Sequence, residues 1–144
     1  VVRMLESQGV TLSLAEVGSG GSLAAAISEA DREHRVLIGA YIAPTMVKMR
    51  RLLGVQYDNQ TEDASHTQQI EQLAKATADV AESQLAIAIG EAWRDESGAA
   101  YVSVAFKLSD GRIESRKIRL RGSGEMARSR LETRLLDQLR RLLR

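Results

Sequence analysis

The sequence predicts an α/β fold, a three-layer α/β/α sandwich with a mixed, largely parallel sheet and a C-terminal helix. Three observations support this prediction: helical patterns alternate with three early apolar strands, a hairpin turn follows them, and a long amphipathic segment ends the chain. The 144 residues fit a single domain over 1–144. A chain of this length buries enough surface to fold without a disulfide or a metal staple.

Apolar periodicity and glycine positions define the individual elements. Helices are predicted over residues 1–8, 22–30, 45–53, 65–83 and 125–144, and strands over 11–16, 36–43, 84–89, 99–108 and 112–120. The uncharged run 36–43 predicts a strand that is buried on both faces. The charges that alternate along 112–120 indicate an edge of the sheet.

The connections carry further signals. Residues 56–64 are predicted to be a polar connection that contains the carboxylate pair Glu62 and Asp63. The next helix is predicted to start either with a capping box of Ser65 and Gln68 or at Thr67. Residues 90–98 are predicted to be a loop that holds the single tryptophan, Trp93.

Composition limits the classes of function. The chain has no cysteine, which suits a cytoplasmic protein and excludes a disulfide framework. No apolar run reaches the ~18 residues of a membrane span, so no membrane association is expected. Residues 112–144 hold eleven Lys or Arg against four Asp or Glu. This basic third raises the alternative of a nucleic-acid surface, but aromatic residues are only 3% of the chain, which leaves few platforms for bases and argues against it.

A glycine-rich turn follows the first strand and precedes an Ala/Leu-rich helix. Backbone N–H groups at such a turn form a natural anion site, at the end of a strand where α/β proteins collect ligands. The sequence therefore predicts a site for a small phosphate-bearing ligand at Gly18, Ser19, Gly20, Gly21 and Ser22. The alternative interpretation is that the turn is only a connection.

Four stretches carry a resemblance to a known family. Residues 15–21 read A-E-V-G-S-G-G, residues 39–55 read G-A-Y-I-A-P-T-M-V-K-M-R-R-L-L-G-V, residues 98–104 read G-A-A-Y-V-S-V, and Arg130 and Thr133 follow Gly124 in the last helix. The order of these stretches resembles the CinA C-terminal domain family, whose members include nicotinamide-nucleotide amidohydrolases. The corresponding family patterns are A-E-S-C-T-G-G, G-G-V-V-A-Y-S-N-E-A-K-V-A-L-L-G-V, G-x-V-Y-I-A-L and G-D-R-x-x-V-R-x-x-T.

The departures from the family pattern fall on its reactive positions. The resemblance implies a serine nucleophile where this chain has Val17, and an assisting lysine where it has Met49. The family's asparagine falls on Met46, and the arginine of G-D-R falls on Met126. A valine has no lone pair with which to attack an amide, and a methionine neither takes a proton nor holds a positive charge. No intact catalytic residue is therefore expected at the matched positions.

Displaced groups provide an alternative. Ser19 and Lys48 lie close in sequence to the matched positions, and a serine with a lysine is a known nucleophile–base combination. Lys48 is one residue from the family position, however, which is a rotation of ~100° around a helix. His34 and His66 lack partners at helical spacing, so no metal site is predicted, and no cofactor is implied.

These observations predict a degenerate, non-catalytic domain that acts as an oligomerising module or as a sensor of a small anion or nucleotide. The alternative is an active nicotinamide mononucleotide amidohydrolase that uses Ser19 and Lys48. Members of the resembled family form homo-oligomers, so a homo-oligomer is expected here. Strand 99–108 and the segment around Trp93 are the apolar surface predicted to mediate it.

Overall fold

The computed structural model describes residues 1–55, 65–122 and 124–144. This part of the chain forms α1 (Val2–Gln8), β1 (Leu12–Val17), α2 (Ser22–Ala30), β2 (Leu37–Ala43), α3 (Met46–Leu53), α4 (His66–Ala81), β3 (Leu85–Arg94), β4 (Ala100–Lys107), β5 (Ile113–Arg119) and α5 (Gly124–Leu142). The predicted polar connection 56–64, with Glu62 and Asp63, lies outside the described residues, as does Ser123.

The five strands form one mixed sheet in the order β2-β1-β3-β4-β5. The first three strands run parallel, and β4 and β5 join them as an antiparallel meander. Helices connect the parallel strands, as crossover connections require. The predicted α/β class, the mixed sheet and the C-terminal helix are confirmed.

Two hydrophobic clusters lie on opposite faces of the sheet because successive side chains of a strand point to opposite sides. On β1, Leu12 and Leu14 belong to the larger cluster, which also contains buried residues of α1, α2 and α5. Ala15 and Val17 belong to the smaller cluster, together with buried residues of α3 and α4. The sheet is therefore the middle of three layers, and β1 contacts both outer layers.

The prediction that the second strand is buried on both faces is wrong. β2 lies at one edge of the sheet, and the side chains of Ile38 and Ile42 are 46% and 48% exposed. Alternate residues of β2 face the cluster formed with α3 and α4, where Tyr41 and Ala43 pack. The residues between them, Ile38, Ala40 and Ile42, are exposed. The absence of charge in residues 36–43 is compatible with burial, but it does not show whether each face of the strand is covered by a helix.

The predicted loop 90–98 is also wrong in its first half, because β3 continues to Arg94. Trp93 pairs with Tyr101 of β4 after an irregularity in the ladder between Ile89 and Ala92. β4 lies between β3 and β5, and its residues 102–106 are buried. The apolar surface expected along 99–108 is thus part of the core. β5 is the other edge of the sheet, as its charges predicted.

The start of α4 follows the predicted capping box. The Ser65 side chain accepts a hydrogen bond from the Gln68 backbone N–H, and the Gln68 side chain accepts one from the Ser65 N–H. No described helix is both long enough and apolar enough to span a bilayer.

A buried carboxylate connects the end of α2 to the start of β2. Asp31 is 2% exposed, and its oxygens accept hydrogen bonds from the backbone N–H groups of Arg35, Val36 and Leu37 at 2.8–3.1 Å. Burial raises the pKa of Asp31, but the three N–H donors and the nearby His34 outweigh it, so the pKa lies below its ordinary value of 3.8. The carboxylate fixes the chain as it enters the edge strand.

We expect Asp31→Asn to lower the free energy of unfolding by about 1–3 kcal/mol at neutral pH, because an amide satisfies fewer of these donors. The depressed pKa means that this stabilisation is present above the unfolded-state pKa and is lost as the pH falls through the folded-state pKa. Urea unfolding from pH 7 to pH 3 checks this: the gap between wild type and variant narrows in acid. Asp79→Asn, on the exposed face of α4, is the control. A gap that does not change with pH contradicts the prediction.

Candidate functional site

The glycine turn joins the end of β1 to the start of α2. Gly18, Gly20 and Gly21 all have positive φ, and Gly21 is the N-cap of α2 at φ 89°. A Cβ on Gly21 would lie 2.5 Å from Ile42 Cδ1, so a side chain there would displace the end of the Ile42 side chain and would also strain the backbone at this positive φ. The turn is therefore fixed both by its backbone conformation and by its contact with the edge strand.

A carboxylate of the chain itself occupies the N-terminus of α2. Glu16 is 0% exposed; its Oε1 accepts hydrogen bonds from Ser19 Oγ at 2.8 Å and from the Leu23 N–H at 2.9 Å, and its Oε2 accepts one from the Ala24 N–H at 2.8 Å. A helix N-terminus favours negative charge because its first N–H groups are unpaired and its dipole is positive there. Glu16 thus takes the place that an external anion would fill at Leu23 and Ala24.

The backbone N–H groups that were predicted to bind an anion differ from those that donate to the Glu16 carboxylate. The Gly21 N–H is 3.5 Å from Ser19 Oγ, a weak contact. Within the described part of the chain, the N–H groups of Ser19, Gly20 and Ser22 have no acceptor. The turn therefore retains open donors, but a bound anion would have to lie near the Glu16 carboxylate.

The two family positions for nucleophile and lysine lie in a single apolar cluster. Val17 is 3% exposed and Met49 is 0% exposed, and both pack with Ala43 and Leu53. Of the other substituted positions, Met46 is partly buried against the same cluster, whereas Met126 is exposed at the start of α5. Val17 and Met49 are therefore held by hydrophobic contact.

The displaced residues have different surroundings. Ser19 donates its hydroxyl proton to Glu16, and Lys48 is exposed on the first turn of α3, where its backbone N–H donates to Thr45 Oγ1 at 3.2 Å. Ser19 thus hydrogen-bonds to an acid, and no described contact joins it to the Lys48 amine.

Val17 lines an open cleft of about 240 Å³ at the carboxyl ends of β1 and β3. Its described lining is mainly apolar, with Ile89, Val102 and Leu131 around it, and includes Ser19 and Arg128 as polar groups. The cleft lies where ligands bind in open α/β sheets. Its walls favour an apolar group with at most one anionic end.

A group of aromatic residues lies beside the neighbouring start of α3. The rings of His66 and Trp93 stack at 4.2 Å, Trp93 contacts Tyr101 at 5.3 Å, and Lys117 Nζ is 4.0 Å from the Tyr101 ring centre. Trp93 Nε1 also donates to Ser103 Oγ at 3.2 Å. This group was missed in the sequence because its members come from α4, β3, β4 and β5, and no local spacing joins them.

The start of α3 is also capped by an acid from the sheet. The Met46 N–H donates to Glu91, which lies within the irregularity of β3 between Ile89 and Ala92. One signal in the sequence marks the Glu16 cap: Glu16 is the one charged residue of β1, and a buried carboxylate requires donors. No comparable signal marked Glu91.

The basic C-terminal third forms a separate groove of about 400 Å³ between β5 and α5. Its floor is apolar, and its rim carries Arg119, Arg121, Arg130 and Arg134. None of the four has an acidic partner within the described residues, whereas Arg140 and Arg141 pair with Asp137. The described lining of this groove contains no Tyr, Trp or Phe. Because nucleic-acid bases stack on aromatic rings, such a lining does not favour binding of nucleic acid.

Metal ligation has no candidate among the residues that the structure describes, because no three His, Asp or Glu side chains come together there. His34 and His66 lie on different elements, His66 in the ring stack and His34 in the turn after α2.

A five-stranded sheet between two helical layers, with a glycine turn after β1 and a cleft beside it, defines an α/β domain that presents its site at the carboxyl ends of the parallel strands. The CinA C-terminal domain family model matches residues 1–143. The chain therefore belongs to the CinA C-terminal domain family.

Solved structures agree in fold. A CinA superfamily protein from Klebsiella pneumoniae has a TM-score of 0.85 at 23% identity, covering 98% of this chain and 91% of that one. The competence/damage-inducible protein of Agrobacterium tumefaciens has a TM-score of 0.83 at 21% identity, covering 99% and 91%. A superfamily protein from Escherichia coli has 0.81 at 20% identity, covering 97% and 84%. The search of curated proteins gave no significant match.

We expect Glu16→Gln to lower the free energy of unfolding by about 2–3 kcal/mol, because the amide NH₂ faces an N–H donor that the carboxylate had satisfied. Urea unfolding measures the loss. Glu29→Gln, at an exposed position of the same helix, is the matched control and should change stability little. Equal losses in the free energy of unfolding for the two substitutions would show that the hydrogen bonds of Glu16 contribute no more to stability than an exposed glutamate does.

Proposed function

We propose that this chain is a non-catalytic member of the CinA C-terminal domain family, which acts as an oligomerising or ligand-sensing module. One observation carries the proposal: Val17 and Met49, at the positions of the family nucleophile and lysine, are buried in one apolar cluster. Amide hydrolysis in this family pattern needs a nucleophile, a base that activates it and positive charge near the developing oxyanion. The matched positions supply none of these.

The cleft itself supports a binding role. It remains open beside Val17, at the end of the sheet where ligands bind in this class of fold. Its apolar walls, the nearby Arg128 and the open N–H groups of the turn suit a small molecule with an apolar part and an anionic part. A nucleotide or a related phosphate ester has this chemistry.

The active alternative, with Ser19 and Lys48 as nucleophile and base, has weaker support. The Ser19 hydroxyl is oriented towards Glu16, and the Glu16 oxygens also accept backbone donors. Lys48 is exposed on α3. The alternative is therefore retained as an outcome of the activity test.

The first test is ammonia release from nicotinamide mononucleotide by the unmodified protein. We expect no turnover above background. Val17→Ser should remain near background, because members of a catalytic unit act together, whereas Val17→Ser with Met49→Lys should have the better chance of activity. Circular dichroism must accompany the double variant, since it places a lysine at a buried position.

The matched control is Ser19→Ala with Lys48→Ala in the otherwise unmodified chain. Turnover by the wild type that disappears in this variant would overturn the non-catalytic proposal and establish the displaced pair. Turnover that persists in this double variant would also overturn the non-catalytic proposal, and it would show that groups other than Ser19 and Lys48 carry the reaction.

The second test concerns the turn as a ligand sensor. Phosphate titrated into ¹⁵N-labelled protein should shift the amide resonances of Ser19, Gly20 and Ser22, with an affinity of millimolar or weaker, ~4 kcal/mol or less. The affinity is expected to be low because Glu16 occupies the helix N-terminus behind these donors. Equimolar chloride is the control for ionic strength. If these resonances do not move, the turn is only a connection.

A further inference from the structure

The backbone of β5 directs hydrogen-bonding groups away from the sheet along its outer edge. The Arg112 C=O and the Leu120 N–H, which flank the strand, both form hydrogen bonds on the β4 side. The ladder between β4 and β5 has no register shift between these two residues. Because backbone groups of successive residues point to opposite sides of a strand, those of Lys117 and Arg119 point away from β4.

These outward groups are open at one end of the edge. Within the described part of the chain, the backbone N–H and C=O groups of Lys117 and Arg119 have no hydrogen-bond partner. Both residues are exposed. Earlier on the same edge, the Ser115 C=O accepts a hydrogen bond from the Arg116 guanidinium at 2.8 Å. The part of the edge that can accept a further strand is therefore its carboxyl-terminal end.

The groove of about 400 Å³ between β5 and α5 lies beside this open end. Its floor consists of Ile118, which is buried, and of Leu120 and Leu131, which are partly buried against the same hydrophobic cluster. In a strand, every second side chain points to the same face of the sheet. A strand that pairs with Lys117 and Arg119 would thus direct alternate side chains towards this apolar floor.

The charges around the open end are positive. Arg119 and Arg121 border the groove on the strand side and Arg130 and Arg134 border it on α5, and the structure gives none of the four an acidic partner among the residues that it describes. Arg119 leaves β5 on the face opposite to Ile118 because side chains alternate along the strand. An added strand would therefore have cations near both of its faces, and arginine forks bind carboxylates well.

We propose that this edge binds an extended acidic peptide of a partner protein, which pairs with β5 as a further strand and places apolar side chains in the groove. Addition of a strand to a free sheet edge is a known mode of peptide recognition. The inference goes beyond the proposed function, because it concerns β5 and α5 rather than the turn and the family positions. Acidic residues that alternate with apolar ones fit both the charges and the floor.

Two other occupants fit this edge less well. A second copy of β5 would bring its Arg116, Lys117 and Arg119 close to those of the first copy, and like charges on paired strands are destabilising. A nucleic acid has the required negative charge, but the described lining of the groove has no aromatic ring on which its bases could stack.

The first test measures the fluorescence anisotropy of a labelled peptide, E-V-E-V-E-V-E with capped ends, in the presence of the unmodified protein. This peptide should bind. The peptide K-V-K-V-K-V-K has the same apolar positions and the opposite charge, and it should not bind. A short DNA duplex is the third probe. No binding of the acidic peptide, equal binding of the two peptides, or binding of the duplex alone would overturn the proposal.

Backbone pairing is tested with two N-methylated forms of the acidic peptide, one methylated at its valines and the other at its three inner glutamates. In a strand, alternate residues direct their N–H groups towards the neighbouring strand. One form should therefore lose affinity roughly tenfold or more, whereas the other should bind as the parent peptide does. Equal affinities of the two forms would overturn pairing with β5.

The position of the peptide is tested by charge reversal on α5. Arg130→Glu with Arg134→Glu should raise the dissociation constant of the acidic peptide roughly tenfold, because two attractive charges become repulsive. Both residues are exposed, and circular dichroism verifies the fold of the variant. Arg3→Glu with Arg51→Glu makes the same change in net charge at exposed positions of α1 and α3. Unchanged binding by the first variant, or an equal loss in this matched control, would overturn the groove as the binding site.

Discussion

The carboxylate of Glu16 is the interaction on which the arrangement around the site depends. It comes from the central part of the sheet, is fully buried, and binds the first N–H groups of α2 and the hydroxyl of the turn. A buried carboxylate without donors costs several kcal/mol, so β1, the glycine turn and α2 must keep their relative positions. The walls of the cleft at Val17 therefore have a fixed geometry, whatever side chains line them.

A second helix N-terminus is capped in the same way: at the start of α3, Glu91 of the sheet accepts a hydrogen bond from the Met46 N–H. In both places the protein neutralises a helix N-terminus from within, which reduces what a ligand can gain from the helix dipole. The turn beside the cleft is thus held by an internal acid, independently of the apolar side chains that line the cleft.

Interactions between residues that are close in sequence could be predicted, whereas the extent of each layer of the fold could not. The Ser65 and Gln68 cap depends on three neighbouring positions, and the charges of 112–120 mark an edge because charge must reach water. The run 36–43 carries no such information, since the exposure of Ile38 and Ile42 depends on the position of β2 at the edge of the sheet. Likewise the extension of β3 to Trp93 depends on pairing with Tyr101, a distant partner. At the site, the resemblance located Val17 and Met49, but the Glu16 cap and the aromatic group required three dimensions.

The complete burial of Met49 has a consequence for the side chains that this position can hold. A lysine there would be a solitary ammonium in an apolar cluster and would weaken the fold. The cluster therefore selects the residue at position 49 by its fit and hydrophobicity, and it tolerates an apolar side chain of similar volume where it rejects a charge.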